Sequence, residues 1–428
     1  MRLAVFTSQY PTRVASFFER DMRALCEAGV EIEVFAAHPH DDELWQYSLD
    51  ILTAEQLPRD HVRHITLRDS LRPALRSAAH RPLDAVLDAG RVLGAAARYG
   101  PIPLAKTAYV LPKALAWADG HAHRFDHVLA YWGNYAGSCA WAFHRQIERD
   151  IPFSIWLHAG TDLYRSPVFL RQKLAYADNI ITCCEFNRDF IRREFTGTES
   201  AAGGRIHVCH HGLDLVAFPW QPEGRATNRV IAVGRLAAHK GFRYLVEAVH
   251  ALRTRGIDLT LEFVGDGPER PALAALAGGL GMGDHVRFAG WVPFPAARRA
   301  MAEATLLVHP SDGLGDGLPN VVREAMALGT PVIASDVAGI PDALGDGRGL
   351  LVPPCDTAAL ASAIERLLQD RAARHTMARR ARRHVEEHFD LWNNGAALAT
   401  LLRQTRRRRI IAAHVRGRTR QPGAQEGA

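Results

Sequence analysis

The chain has 428 residues, 47% of them hydrophobic and 23% charged, so it can bury two or three domain cores without disulfide or metal staples. Its six cysteines form no CxxC pair and read as reduced, mostly buried thiols rather than a zinc site. The net charge of +6 is local, because residues 403–420 hold eight arginines and no acid; the remainder is slightly acidic, which argues against a nucleic-acid-binding fold.

The first apolar run, Leu3–Phe6, is too short for a signal-peptide core or a bilayer span and reads as a buried strand. No later run approaches about 18 apolar residues, so no transmembrane helix is expected. A helix around Phe17–Ala28 follows, stopped by Gly29, and then a strand at Glu31–Ala36. That spacing is a βαβ unit, which calls for a parallel sheet covered on both faces. Residues 40–120 carry helical periodicity and few strand signals. Strands resume at Val128–Trp132, Phe153–His158, Ile180–Cys183 and Ile206–His210. The polar, Pro- and Gly-bearing stretch 218–229 marks a boundary. A second α/β series has strands at Val230–Val233, Leu259–Val264, His285–Phe288, Leu306–His309, Pro331–Ala334 and Leu350–Val352, with a helix capped by Asp356. The expected organisation is two Rossmann-like domains facing a cleft, residues 1–218 and 219–402, with the last helix able to pack back on the first domain. A basic tail, 403–428, is expected to be disordered. In such open sheets, ligands bind beyond the carboxyl ends of the strands.

Three groups of residues lie at such ends. Gly234-Arg235-Leu236-Ala237-Ala238-His239-Lys240-Gly241 joins a strand to a helix. Its glycines permit a tight turn, the helix N-terminus suits phosphate, and Arg235 and Lys240 could together neutralise a diphosphate. The alternative is an exposed Arg and a helix-start Lys on a solvated face. The second group is Asp316-Gly317-Leu318-Pro319-Asn320-Val321-Val322-Arg323-Glu324, with Asp316 on a loop and Glu324 more than one turn into a helix that Pro319 opens. Two carboxylates so placed could grip the hydroxyls of two sugar rings, and the helix N-terminus between them would face phosphate. The alternative is a loop Asp and a surface Glu. The third is His158, in Trp156-Leu157-His158-Ala159-Gly160-Thr161-Asp162; a lone histidine at a strand end is more often structural, and His210 and His211 share that reading. Val264-Gly265-Asp266-Gly267-Pro268 lacks the third glycine of a dinucleotide fingerprint, and no Walker A, HExxH or GxSxG sequence occurs.

Taken together, His309-Pro-Ser, Gly317-Leu-Pro, Glu324-Ala-Met-Ala-Leu-Gly-Thr-Pro-Val-Ile-Ala-Ser and Gly339-Ile-Pro-Asp stand in the order and spacing of a known family. Over roughly residues 1–400 the chain resembles the GT4-type retaining glycosyltransferases of GT-B fold, in the branch that builds bacterial exopolysaccharides such as colanic acid. The resemblance implies roles. Gly234, Arg235 and Lys240 would hold the donor diphosphate. Glu324 would hold the donor ribose. Asp316, which stands where the family's EX7E motif has its first Glu, would face the donor sugar, with Gly317, Leu318, Pro319, Asn320 and Val321 around it. Gly290, Trp291 and Val292 would meet the nucleobase. His158 would stabilise the transferring sugar, which makes His158, Arg235, Lys240 and Asp316 the catalytic set. Neither metal nor cofactor is implied; the donor is a nucleotide-diphosphate hexose and the acceptor a glycan or a lipid-linked glycan. The enzyme is expected in the cytoplasm, where Arg403–Arg420 could hold it on an anionic membrane face. Two other readings stay open: a non-catalytic sugar-nucleotide-binding scaffold, given Asp316, and a nucleotide-sugar epimerase.

Overall fold

The structure is a computed structural model that describes residues 1–11, 16–41, 43, 57–165, 167–195, 205–315 and 317–418. It falls into two compact units. One comprises residues 1–182, 188–209 and 395–428, the other residues 183–187 and 210–394.

The first unit is built on a seven-stranded parallel sheet. In chain order its elements are β1 (Arg2–Thr7), α1 (Ser16–Glu27), β2 (Glu31–Ala36), β3 (Val62–Arg63), α2 (Leu67–His80), α3 (Pro82–Ala97), α4 (Pro101–His121), β4 (His127–Ala130), α5 (Tyr135–Arg145), β5 (Phe153–Leu157), α6 (Leu170–Tyr176), β6 (Asn179–Thr182), α7 (Glu185–Glu194) and β7 (Arg205–Val208). The helix α7 itself begins in the second unit. The strand order is β3-β2-β1-β4-β5-β6-β7. Leu3–Phe6 is apolar throughout, and Phe153–Leu157 is apolar but for the buried Ser154, because both faces of these strands are covered. Phe6 stacks on Phe35 at 4.9 Å, and Trp117 and Phe143 pack around the pair. The two-residue strand β3 has no run of its own to announce it. It forms by pairing Val62 and Arg63 with Val34 and Phe35.

The second unit repeats the plan with β8 (Arg229–Val233), α8 (Phe242–Thr254), β9 (Thr260–Val264), α9 (Arg270–Gly279), β10 (Val286–Gly290), α10 (Phe294–Glu303), β11 (Leu306–His309), α11 (Asn320–Leu328), β12 (Val332–Ser335), α12 (Ile340–Leu344), β13 (Leu350–Val352), α13 (Thr357–Gln369) and α14 (Arg371–His388). Its six strands are parallel in the order β10-β9-β8-β11-β12-β13. Asp356 accepts from the Ala359 amide at 2.8 Å, which caps α13. The division falls after Cys209 rather than at residue 218. The reason is packing: Leu213 donates to the Phe389 carbonyl at 2.7 Å, and Phe218 packs on Phe294 at 5.8 Å, both within this unit.

The C-terminal stretch corrects an expectation. No break occurs at residue 403; helix α15 runs from Leu391 to Arg418. Leu398, Ala399 and Leu402 are buried in the core of the first unit. Arg403 donates to the carbonyls of Ala28 and Gly29 at 2.5 and 3.2 Å, where α1 ends and leaves its last carbonyls unpaired. Arg406 meets Asp126 at 2.9 Å. Arg409 grips Asp178 through two nitrogens at 2.7 and 3.0 Å and also bonds Asp150. Beside them runs a buried polar chain, Thr405–Asn179–Ser154–His127, with steps of 2.8, 3.0 and 2.8 Å. Burial pulls the pKa of His127 down to about 3, so this ring stays neutral. Among the described residues no helix is long and apolar enough to cross a membrane.

Candidate active site

In the second sheet the strand order reverses direction between β8 and β11, and ligands of doubly wound sheets bind beyond the carboxyl ends at that point. Two loops meet there. The loop after β8 turns at Gly234, whose φ is +143°, and buries Leu236. Arg235 between them is exposed and has no ion-pair partner among the described residues. A single 3-10 turn, Ala238–Lys240, then brings Lys240 to Gly241, which has φ +64° and opens α8.

The loop after β11 is locked to this one. The His239 carbonyl accepts from Ser311 Oγ at 3.0 Å and from the Asp312 amide at 3.1 Å. Gly241 lies so close that a Cβ there would stand 2.0 Å from the Pro310 carbonyl oxygen. At Gly315 a Cβ would stand 2.5 Å from the His239 ring. Both glycines are therefore demanded by contact between loops.

The loops after β9 and β10 extend the same edge. The Gly234 amide donates to Val264 at 2.9 Å, and the Gly265 amide donates to Gly290 at 2.8 Å. A Cβ at Gly265 would fall 2.0 Å from the Gly234 carbonyl, and one at Gly267 would fall 2.3 Å from that of Leu236. The Gly-x-Gly that fails as a dinucleotide fingerprint thus serves close loop packing. Beyond it Trp291 is 46% exposed, with Val292 half-buried beside it.

The helix α11 starts at Asn320, directly after Pro319, so Pro319 is the capping residue rather than part of the first turn. Among the described residues no side chain caps this end, which leaves the amides of Asn320 and Val321 for another acceptor. Gly317 is held by a 2.8 Å bond from the Gly339 amide, and Leu318 is buried. Glu324 lies one turn beyond Asn320 on the same face and is only 6% exposed. Asp316 lies outside the described residues.

Sequence reasoning passed over Arg323, which is 1% exposed. Its guanidinium donates to the His211 carbonyl and to Asn320 Oδ1, and lies 5.4 Å over the Phe389 ring. It anchors the start of α11. The available signal was a second charge beside Glu324 on an otherwise apolar helix. His211 is buried and supplies that carbonyl, while His210 Nδ1 donates to the Cys183 carbonyl at 2.9 Å. Both histidines are therefore tied into the structure of the second unit.

In the first unit the order reverses between β1 and β4, and His158 follows β5. It is 6% exposed and sits among rings, with Trp132 at 4.3 Å and Tyr131 at 4.8 Å. Its amide donates to Asp162 Oδ2 at 2.9 Å, and its Nδ1 lies 3.6 Å from the same oxygen. Asp162 Oδ1 accepts from the Asn134 amide at 3.0 Å, and Asn134 in turn accepts from Ser8 Oγ at 3.1 Å. Below them the ammonium of Lys173, fully buried, donates to the carbonyls of Gly133 and Asn134 and to Ser138 Oγ. Burial pulls its pKa down to about 7, opposed by the Asp162 carboxylate. Asn134, Asp162 and Lys173 so fix the loops that hold His158, and only Asp162 was near a residue singled out from sequence. Among the described residues no group of three or more His, Cys, Asp or Glu side chains could hold a metal ion.

Residues 227–370, within the second unit, match the family model described as Glycosyl transferases group 1. The chain is 36% identical over 176 residues to an alpha-D-kanosaminyltransferase of Streptomyces kanamyceticus, an alignment covering 41% of this chain and 45% of that one. It therefore spans under half the length of that relative. A longer match, 26% identical over 410 residues, covers 91% of this chain and 96% of the amylovoran biosynthesis glycosyltransferase AmsK of Erwinia amylovora. Among solved structures, a sucrose-phosphate synthase of Thermosynechococcus elongatus superposes with a TM-score of 0.71 at 22% identity, covering 96% of this chain and all of that one. The Anabaena protein Alr3699/HepE in complex with UDP-glucose gives 0.65 at 18%, covering 94% and 100%. The fold is thus that of GT-B glycosyltransferases, two Rossmann-like parallel-sheet units, and the chain resembles GT4-type enzymes of exopolysaccharide synthesis.

Proposed function

We propose that this glycosyltransferase-like chain is a retaining enzyme that moves a hexose from a nucleotide-diphosphate sugar to a glycan or lipid-linked acceptor. The observation that carries the reading is the locked pair of loops at the reversal point of the second sheet: the first bears Arg235 and Lys240, and the second leads to the start of α11, which no side chain caps among the described residues. Cations and helix N–H groups placed together suit a diphosphate. The Anabaena neighbour, whose structure holds UDP-glucose, supports a donor of this class.

In this reading Gly234, Arg235 and Lys240 bind the diphosphate, with the amides of Asn320 and Val321. Glu324 takes the ribose, Gly290–Val292 the base, and Asp316 the donor sugar. His158 is assigned to the transferring sugar. The bond from the anomeric carbon to the diphosphate breaks as a bond to the acceptor oxygen forms on the same face, and the acceptor proton passes to a departing phosphate oxygen. Negative charge grows on that phosphate, so donors aimed at it would lower the barrier, and the reading calls for no nucleophile, metal or cofactor.

The test is a product assay over a panel of nucleotide sugars, with and without acceptor glycans. Transfer that needs acceptor supports the reading. Donor binding without turnover would mean a scaffold, and donor conversion without acceptor an epimerase.

A further inference from the structure

Helices α2 and α3 of the first unit are dressed inside out. A surface helix normally hides its large apolar residues and exposes small or polar ones. On α2 the buried residues are Ser70, Ala74 and Ser77, while Leu67, Leu71 and Leu75, one turn apart on one face, are 39%, 51% and 73% exposed. On α3, Leu83, Val86 and Leu87 are 72%, 70% and 46% exposed. Both helices pack against α4, which adds Ile102 at 67%. Exposed apolar residues this concentrated mark a surface made for contact.

The charges around them name the occupant. Each leucine of α2 is followed by an arginine, as Leu67-Arg68, Leu71-Arg72 and Leu75-Arg76. Residues 67–106 hold seven Lys and Arg against three Asp and no Glu. Arg76 is paired with Asp119 and Arg81 with Asp84, but Arg68, Arg72 and Arg98 have no ion-pair partner among the described residues. The apolar stripe of α3 continues over Gly90 and Gly94 into a hollow of about 540 Å³ walled by Trp141, Phe169 and Arg98. Leucines interleaved with arginines, of which Arg68 and Arg72 have no ion-pair partner among the described residues, are the pattern of a helix lying in the interface of an anionic bilayer, where apolar insertion and charge attraction add.

We propose that the outer face of α2 and α3 docks this protein on an anionic phospholipid membrane. The surface is distinct from the arginines of α15, of which Arg403, Arg406 and Arg409 are already engaged within the fold. It does not depend on the sugar chemistry proposed above.

The test is flotation of the full chain with phosphatidylcholine vesicles and with equimolar phosphatidylglycerol–phosphatidylcholine vesicles. The wild type should float only with the anionic vesicles, less so at high salt. The triple variant Leu71→Glu/Leu75→Glu/Leu83→Glu, and separately Arg68→Glu/Arg72→Glu, should each weaken partitioning by at least about tenfold with unchanged melting temperature. Arg407→Glu/Arg408→Glu, on the exposed side of α15, should weaken it by about twofold at most. The proposal falls if the wild type floats with neither vesicle, if the α2 and α3 variants float as it does, or if only the α15 variant is lost. It falls also if light scattering shows a wild-type dimer that the leucine variant makes monomeric, for the face would then meet a second copy of the chain.

Discussion

Gly241 offers the sharpest test of how the proposed phosphate edge is built, and Gly256 supplies the control. Both have positive φ, +64° and +84°, in the second unit. A Cβ at Gly256 meets nothing within 4 Å, whereas one at Gly241 would stand 2.0 Å from the Pro310 carbonyl oxygen. Gly256→Ala therefore bears only the left-handed cost of about 1–2 kcal/mol, partly offset by a stiffer unfolded chain. A net of about 1 kcal/mol lowers the melting temperature of a unit this size by about 2–4 °C. Gly241→Ala adds an overpacking cost of about 1–3 kcal/mol, for a fall of roughly 4–16 °C. Relief requires the β11 loop to withdraw by about 1 Å, and a displacement of that size near reacting groups costs about 10²-fold in turnover. Scanning fluorimetry and the transfer assay read both effects. If the two alanine variants matched in melting temperature and in turnover, the interlock of the β8 and β11 loops would be refuted.

Arg235→Ala and Lys240→Ala should each lower turnover by about 10²–10³, the usual loss for one preorganised electrostatic donor, with melting temperatures unchanged; kinetics equal to wild type in a folded variant would remove that residue from the site. Asp316→Ala should impair transfer while leaving nucleoside diphosphate affinity nearly intact, whereas Glu324→Ala should weaken both; calorimetry with the free diphosphate decides, and an equal loss in the Asp316 variant would contradict its assignment to the sugar. Lys173 links stability to pH. Its folded pKa of about 7 lies below the unfolded 10.5, so above about pH 7 the unfolded chain binds the extra proton and stability rises with pH. Urea midpoints at about pH 7 and about pH 8.5 should therefore climb in the wild type and less in Lys173→Met, and parallel slopes would count against a neutral Lys173. His127 and His144, held down to about 3 and about 4 by burial, act in acid: below the unfolded value of 6.5 the unfolded chain takes up protons these rings refuse, so stability falls as pH drops. His127→Gln should flatten that fall in an acid titration of the melting temperature.

Strands buried on both faces were legible because burial on both sides demands unbroken apolar runs such as Leu3–Phe6 and Leu306–Val308. The loops after β8 and β11 were legible as loops at strand ends because glycines and a strand-to-helix junction leave a local pattern around Arg235 and Lys240; their role toward a donor is proposed. What stayed hidden depends on distant partners. The arginines of α15 read as solvated because Asp150 and Asp178, which hold Arg409, stand 259 and 231 positions away. Arg323 finds its carbonyl 112 positions back, and Lys173 reaches across 39 to Asn134. The reversed dressing of α2 was hidden for another reason: helical periodicity marks a leucine stripe but not which way it faces.

The most direct measurement is titration calorimetry of nucleoside diphosphates into the wild type and into Arg235→Ala/Lys240→Ala. One diphosphate should bind the wild type, and the double variant, with an unchanged melting temperature, should bind it at least about 100-fold more weakly, since two charge-assisted contacts of about 1.5–3 kcal/mol each are lost. Equal affinity in the two proteins would place the donor phosphates elsewhere and contradict the site.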